Sequence, residues 1–182
     1  MKKIFLLLTS LAVFIACQDD EAPDPGNYQK PLPEATQSGK GTFACYVDGN
    51  AYIAKKNEIT AYYQYTQGYY VFGVSSNKKM LPVFSIIIGY IQENSIVESE
   101  VYTLGYYENN SQFGGISFVY EPDIPYQLNT TDGINYQGEF TITKLDMETQ
   151  IISGTFWFDV QDPKTGETRQ VRDGRFDVVA NF

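Results

Sequence analysis

The strongest constraint on what this chain can fold into is a two-residue rhythm of apolar side chains, sharpest toward the C-terminus. Phe140 and Ile142 alternate with Thr141 and Thr143, and Ile152, Gly154, Phe156, Phe158 and Val160 keep the same period in the next run. Successive side chains of a strand point to opposite faces, so each run predicts a strand with one buried face. The two runs flank Asp146-Met147-Glu148-Thr149 and read as an antiparallel hairpin. Asp162-Pro163-Lys164-Thr165-Gly166 is a further turn, and Asp173-Gly174 opens a last strand whose Phe176, Val178, Ala180 and Phe182 face inward together.

The first half carries the same signature less regularly. Phe43, Cys45 and Val47 share a face, and Asp48-Gly49-Asn50 turns into Ala51-Tyr52-Ile53. Residues 58–65 and 69–75 flank Thr66-Gln67-Gly68 as a second hairpin. Pro82 to Ile91 is almost continuously apolar and predicts a central strand buried on both faces. With 15 Tyr, 12 Phe and 15 Gly, and no stretch showing a 3.6-residue stripe, the composition favours pleated structure. The expected fold is all-β: an antiparallel β-sandwich or a strongly curved, barrel-like sheet of about nine or ten short strands. It occupies one domain, residues 39–182.

The chain before that domain obeys different rules. Lys2 and Lys3 precede a mostly apolar run from Ile4 to Ile15, too short to span about 30 Å of hydrocarbon as a helix, so residues 1–16 read as an export signal. From Glu21 onward Pro23, Pro25, Pro31 and Pro33 interrupt a polar stretch that cannot bury enough surface to order itself. Residues 17–38 are therefore expected to form a disordered, acidic and Pro-rich tether.

Val13-Phe14-Ile15-Ala16-Cys17 resembles the lipobox of bacterial lipoproteins, although Phe14 and Ile15 depart from the usual Leu and small residue. The resemblance implies that Cys17 carries a diacylglyceryl group, which inserts two or more acyl chains in the bilayer at about 0.8 kcal/mol per buried methylene. Gln18-Asp19-Asp20-Glu21 is similar to the acidic tetrad that directs Bacteroidota lipoproteins to the outer face of the outer membrane. The opening Gly41-Thr42-Phe43-Ala44-Cys45-Tyr46-Val47-Asp48-Gly49, the internal Gly154-Thr155-Phe156-Trp157-Phe158 and the closing Asp173-Gly174-Arg175-Phe176-Asp177-Val178 resemble an uncharacterised Bacteroidota lipoprotein domain. That likeness implies an outer-membrane lipoprotein and carries no site residues.

Charge and missing residue types narrow the chemistry. The net charge is -9, and loss of Lys2 and Lys3 would leave 11 basic against 22 acidic residues, a balance that repels nucleic acid. The chain has no histidine, which excludes Ser-His-Asp and Cys-His catalysis and most catalytic zinc sites. With Cys17 acylated, Cys45 has no partner, and its place in an alternating run predicts a buried small apolar residue. Carboxylates for glycoside hydrolysis exist in Glu98, Glu100, Glu121, Asp123 and Glu139, but turn-like surroundings favour solvation over catalysis. The Asn-rich turns lack the acidic spacing of a calcium loop, so neither metal nor cofactor is expected.

Binding is the sharper expectation. Tyr62-Tyr63-Gln64-Tyr65, Tyr69-Tyr70 and Tyr106-Tyr107 place tyrosines on both faces of their strands, and Trp157 is opposite in phase to Phe156 and Phe158. Tyr63, Tyr70, Tyr107 and Trp157 are therefore the candidate exposed residues, suited to stacking on a glycan or anchoring an envelope protein.

Overall fold

The computed structural model describes residues 31–78, 81–107, 110–121 and 127–182, with backbone alone for Tyr106, Tyr107 and Asn110. Residues 1–16, expected to be an export signal, Cys17, the acidic tetrad at Gln18 to Glu21 and the carboxylate Asp123 lie outside the described residues.

The described residues form eleven strands: β1 (Thr42–Val47), β2 (Asn50–Ile53), β3 (Ile59–Thr66), β4 (Tyr69–Ser76), β5 (Val83–Gln92), β6 (Val101–Tyr107), β7 (Asn110–Phe118), β8 (Gln127–Thr130), β9 (Gly138–Asp146), β10 (Ile151–Gln161) and β11 (Thr168–Val179). Among the described residues the helical content is one 3-10 turn at Lys56–Glu58, and no helix is long and apolar enough to cross a membrane. The tight turns follow local chemistry. Asp48 and Gly49 both have positive φ (49° and 76°), as do Gln67 and Gly68 (52° and 89°), the two-residue geometry that matches the twist of the strands it joins.

All strand pairs are antiparallel, and together they make one continuous sheet in the order β2-β1-β11-β10-β9-β6-β7-β5-β4-β3, with β8 beside β7. The sheet curls into two facing leaves because β6 changes partners halfway. Val101 to Leu104 pair with β9, whereas Gly105 to Tyr107 pair with β7. The first leaf is β2, β1, β11, β10, β9 and the start of β6; the second is the end of β6, then β7, β5, β4 and β3. The open side is partly closed by the chain's end. Tyr63 N donates to Asn181 O (2.8 Å), and Asn181 N donates to Ala61 O (3.0 Å). Tyr52 of β2 also donates to Ser76 O of β4 at 3.2 Å.

The core lies between the leaves and is rich in aromatic rings. Phe72 of the second leaf meets Phe140 and Phe176 of the first, with ring centroids 6.1 and 5.9 Å apart. Cys45 is fully buried among them, as its position in the alternating run implies.

Two expectations need correction. The central strand β5 is not buried on both faces: Ile86, Ile88 and Tyr90 enter the core, but Ile87 is half-buried and Ile91 is 37% exposed. Among the described residues no further layer packs on that outer side. The end of the tether is also held, since residues 31–38 lie along the outer face of the first leaf. The Asp177 carboxylate, on a side chain only 1% exposed, accepts from Thr36 Oγ1 (2.6 Å), Ser38 N (3.1 Å), Gly39 N (2.7 Å), Lys40 N (3.1 Å) and Ser153 Oγ (2.8 Å). Burial pushes its pKa up, but these donors outweigh it and hold the group at about 2.

Candidate functional site

Trp157 stands on the outer face of the first leaf because its neighbours Phe156 and Phe158 enter the core. It is 37% exposed. Strand pairing sets what surrounds it. Glu139 lies opposite on β9, and Trp157 Nε1 donates to Glu139 Oε2 at 3.3 Å. In the neighbouring row, Arg175, Thr155 and Thr141 are aligned across β11, β10 and β9.

A register shift between Phe156 and Phe158 leaves Asp173, at φ 50°, without a partner on β10. Such a bulge adds one residue to a strand and reverses its alternation. Val171 and Phe176, five residues apart, can then both enter the core, and Arg172 and Arg175 both face outward beside Trp157.

The Arg172 guanidinium carbon sits 5.5 Å from the Trp157 ring centroid, a cation–π contact. Arg172 NH1 is fixed by Asp159 Oδ1 at 2.7 Å and by the carbonyls of Phe158 (3.1 Å) and Val171 (2.9 Å). Arg175 donates to the carbonyls of Asp173 and Pro33, so the end of the tether borders the site. The result is a shallow depression of about 430 Å³ lined by Glu139, Thr141, Thr155, Trp157, Arg172 and Arg175 among others. An aromatic face with a carboxylate, two guanidinium groups and two hydroxyls around it can stack against an apolar ring face while bonding the ring's polar substituents.

Tyr63 and Tyr70 lie elsewhere, and the expectation that Tyr63 is exposed is corrected. Tyr63 shares the inward face of β3 with Ala61, leaving Tyr62 and Gln64 outward, and is 5% exposed. Its ring stacks on half-buried Tyr70 at 5.9 Å and meets Phe182 edge-on at 5.5 Å. With Tyr65, Met147 and Phe182 these two line an end cleft of about 460 Å³. Tyr65, Met147 and Phe182 are exposed there. Tyr65 shares the parity of Tyr63 but lies beyond the reach of the closing Asn181 contact. The Tyr107 side chain falls outside the described residues.

A depression of about 710 Å³ opens where β6 leaves β7 for β9. Its floor is formed by Tyr90 and Tyr102, packed edge to face at 5.2 Å. Tyr90 OH donates to Asn94 O (2.6 Å), Tyr102 OH accepts from Val97 N (2.7 Å), and Tyr102 OH donates to Glu100 Oε2 (3.1 Å). Burial pushes the Tyr102 phenol up to about 12 and raises Tyr90 as well, so both remain protonated and tie down the loop across residues 93–100. Two carboxylates considered for hydrolysis serve the same end: Glu100 accepts from Tyr102, and Glu98 Oε2 accepts from Leu145 N at 2.8 Å. Glu121 is exposed.

The carboxylates shifted furthest down are structural. Asp162 is buried and, despite that burial, is held at about 2 by Tyr120, Arg169 and two backbone N–H groups. Asp132 is likewise held at about 2, first by the Tyr136 N–H and then, against some desolvation, by Ile134 and Asn135. Among the described residues no three His, Cys, Asp or Glu side chains gather to hold a metal ion. No family model matches the chain, and neither a curated protein nor a solved structure is found similar to it.

Proposed function

We propose that this chain is a non-catalytic binding domain, held at the outer membrane through acylated Cys17, that recognises glycans on the Trp157 face. The observation that carries the reading is the arrangement at Trp157: an exposed ring in a depression of about 430 Å³, rimmed by charged and hydroxyl side chains on three hydrogen-bonded strands. That volume falls in the range of small-ligand sites, and a site on strands keeps its geometry without closure of a loop. The lipobox-like stretch before Cys17, the acidic tetrad at Gln18 to Glu21 and the similarity to a Bacteroidota lipoprotein domain support the location.

A glycan array probed with the chain from Gln18 to Phe182 tests the binding reading. This chain keeps every described core residue, all of which lie between Phe43 and Ala180. The expected result is a saccharide signal reduced at least tenfold by Trp157→Ala, a loss of about 1.4 kcal/mol or more. A silent array, or a signal indifferent to Trp157→Ala, overturns it. A second reading, contact with an envelope protein, is favoured by the cleft where Tyr65, Met147 and Phe182 are exposed together. Silence on the array with co-purification of an envelope protein, lost on Tyr65→Ala, would establish that reading instead. Location is tested separately: Cys17→Ser should release the chain from the membrane fraction, and retention would refute the anchor.

A further inference from the structure

The two leaves differ in charge far more than their shared core requires. Strands β9, β10 and β11 of the first leaf carry nine charged side chains, from Glu139 to Asp177. Strands β3, β4, β5, β6, β7 and β8 contain no Asp, Glu, Lys or Arg at all. In a chain of net charge -9, this makes the outer side of the second leaf a continuous uncharged surface.

That surface is also shaped. Register aligns Tyr62, Gly73, Gly89 and Phe113 across β3, β4, β5 and β7. A Cβ built on Gly73 would fall 2.4 Å from the Tyr62 ring, and one built on Gly89 would fall 2.5 Å from the Phe113 ring. The two outward rings therefore lie down across the glycine backbone of the neighbouring strand instead of standing off the sheet. Val71 and Ile91 form the adjacent row, paired across β4 and β5, with Ile87 and exposed Leu128 on the other side. An apolar centre depleted of charge has the composition of a protein interface core.

We propose that this face is where two copies of the chain meet, second leaf against second leaf. Charge and area select this occupant. In a two-fold pair the same patch lies on both sides, so any charge near the axis opposes its own copy. An uncharged face lets two molecules of this acidic chain meet with no like charges opposed at the axis. Four strands about 4.8 Å apart and about eight residues long, at about 3.4 Å per residue, present roughly 500 Å² in projection. Corrugation by side chains raises the accessible area toward the roughly 800 Å² per partner of a standard interface, the lower end of what holds a dimer. The pairing is thus reversible.

The test uses the full chain in its membrane. Val71→Cys and Ile91→Cys are made singly, since both positions lie near the patch centre and cysteine is tolerated in size at each. Under mild oxidation at least one should give a disulfide-linked dimer on a non-reducing gel. The parent chain and Val179→Cys, on the outer face of the first leaf and 56% exposed, should not. Adding Val71→Lys to the Ile91→Cys chain should cut the cross-linked fraction at least tenfold, because the pair would then bring two like charges together. Absence of dimer from both cysteine variants overturns the proposal, as does equal cross-linking through Val179→Cys. A monomeric chain that instead retains an uncharged polysaccharide through Tyr62 and Phe113 would also overturn it, by assigning the face to another occupant.

Discussion

Replacing Asp177 with asparagine probes how the domain is joined to its tether, and the structure sets the size of the effect. The carboxylate is held at about 2 against an ordinary value of 3.8. A displacement of that size corresponds to about 2.4 kcal/mol in favour of the folded, ionised form at neutral pH. Asparagine keeps the shape but turns one oxygen into a donor. Oδ2 receives Thr36 Oγ1 and the N–H groups of Ser38 and Lys40, while Oδ1 receives Gly39 N and Ser153 Oγ. Either orientation of the amide therefore leaves at least one buried backbone donor facing another donor, worth a further 1 to 2 kcal/mol or so. The expected loss is about 3.4 to 4.4 kcal/mol at pH 7, measured as the change in urea midpoint at constant m-value. Faster hydrogen exchange at Ser38, Gly39 and Lys40 should accompany it.

The pH dependence has a definite sign. A carboxylate with a lowered folded pKa contributes its stability above the unfolded value and loses it as pH falls through the folded value. The gap between wild type and Asp177→Asn should be full at pH 5 to 7 and should shrink between about pH 4 and about pH 2. Asp132 and Asp162 titrate in the same low range, but they are common to both proteins and cancel in the difference. A loss below about 1 kcal/mol at pH 7, or an equal gap at pH 2.5 and pH 7, would refute the argument that this carboxylate acts as a charged acceptor.

Two further tests address the packing. Gly114→Ala places a Cβ 2.6 Å from the fully buried Phe158 ring; overpacking of this kind costs about 1 to 3 kcal/mol, so Tm should fall by several degrees, and a variant within 1 °C of wild type would show that the leaves can yield there. Cys45 is fully buried, and burial pushes its thiol pKa upward, so in the chain from Gln18 it should resist iodoacetamide at pH 8 and react once the chain is unfolded in guanidinium; rapid alkylation of the native protein would contradict that placement.

Much of this architecture was legible one strand at a time. The alternation of Phe156 and Phe158 against Trp157 placed the indole on the outside, and the turns at Asp48-Gly49 and Gln67-Gly68 marked hairpins that the structure contains. The tyrosines were harder, because two adjacent tyrosines satisfy a period of two in either phase. Tyr63 is inside and Tyr62 outside because pairing with β4 sets Tyr63 beside Phe72 on the core face, where Phe182 also packs on it, and Tyr62 beside Gly73 on the other.

By itself, then, the sequence determined the strand class, most of the hairpins, the burial of Cys45 and the outward phase of Trp157, since each depends on residues a few positions apart. Tertiary structure alone decided the partner switch of β6 at Gly105, the bulge at Asp173 that gathers Arg172 and Arg175 around Trp157, the hold of Asp177 on the tether and the uncharged outer leaf. Each of these joins residues from distant parts of the chain through strand pairing, and period-two patterning specifies which side chains share a face but not which strand lies beside which.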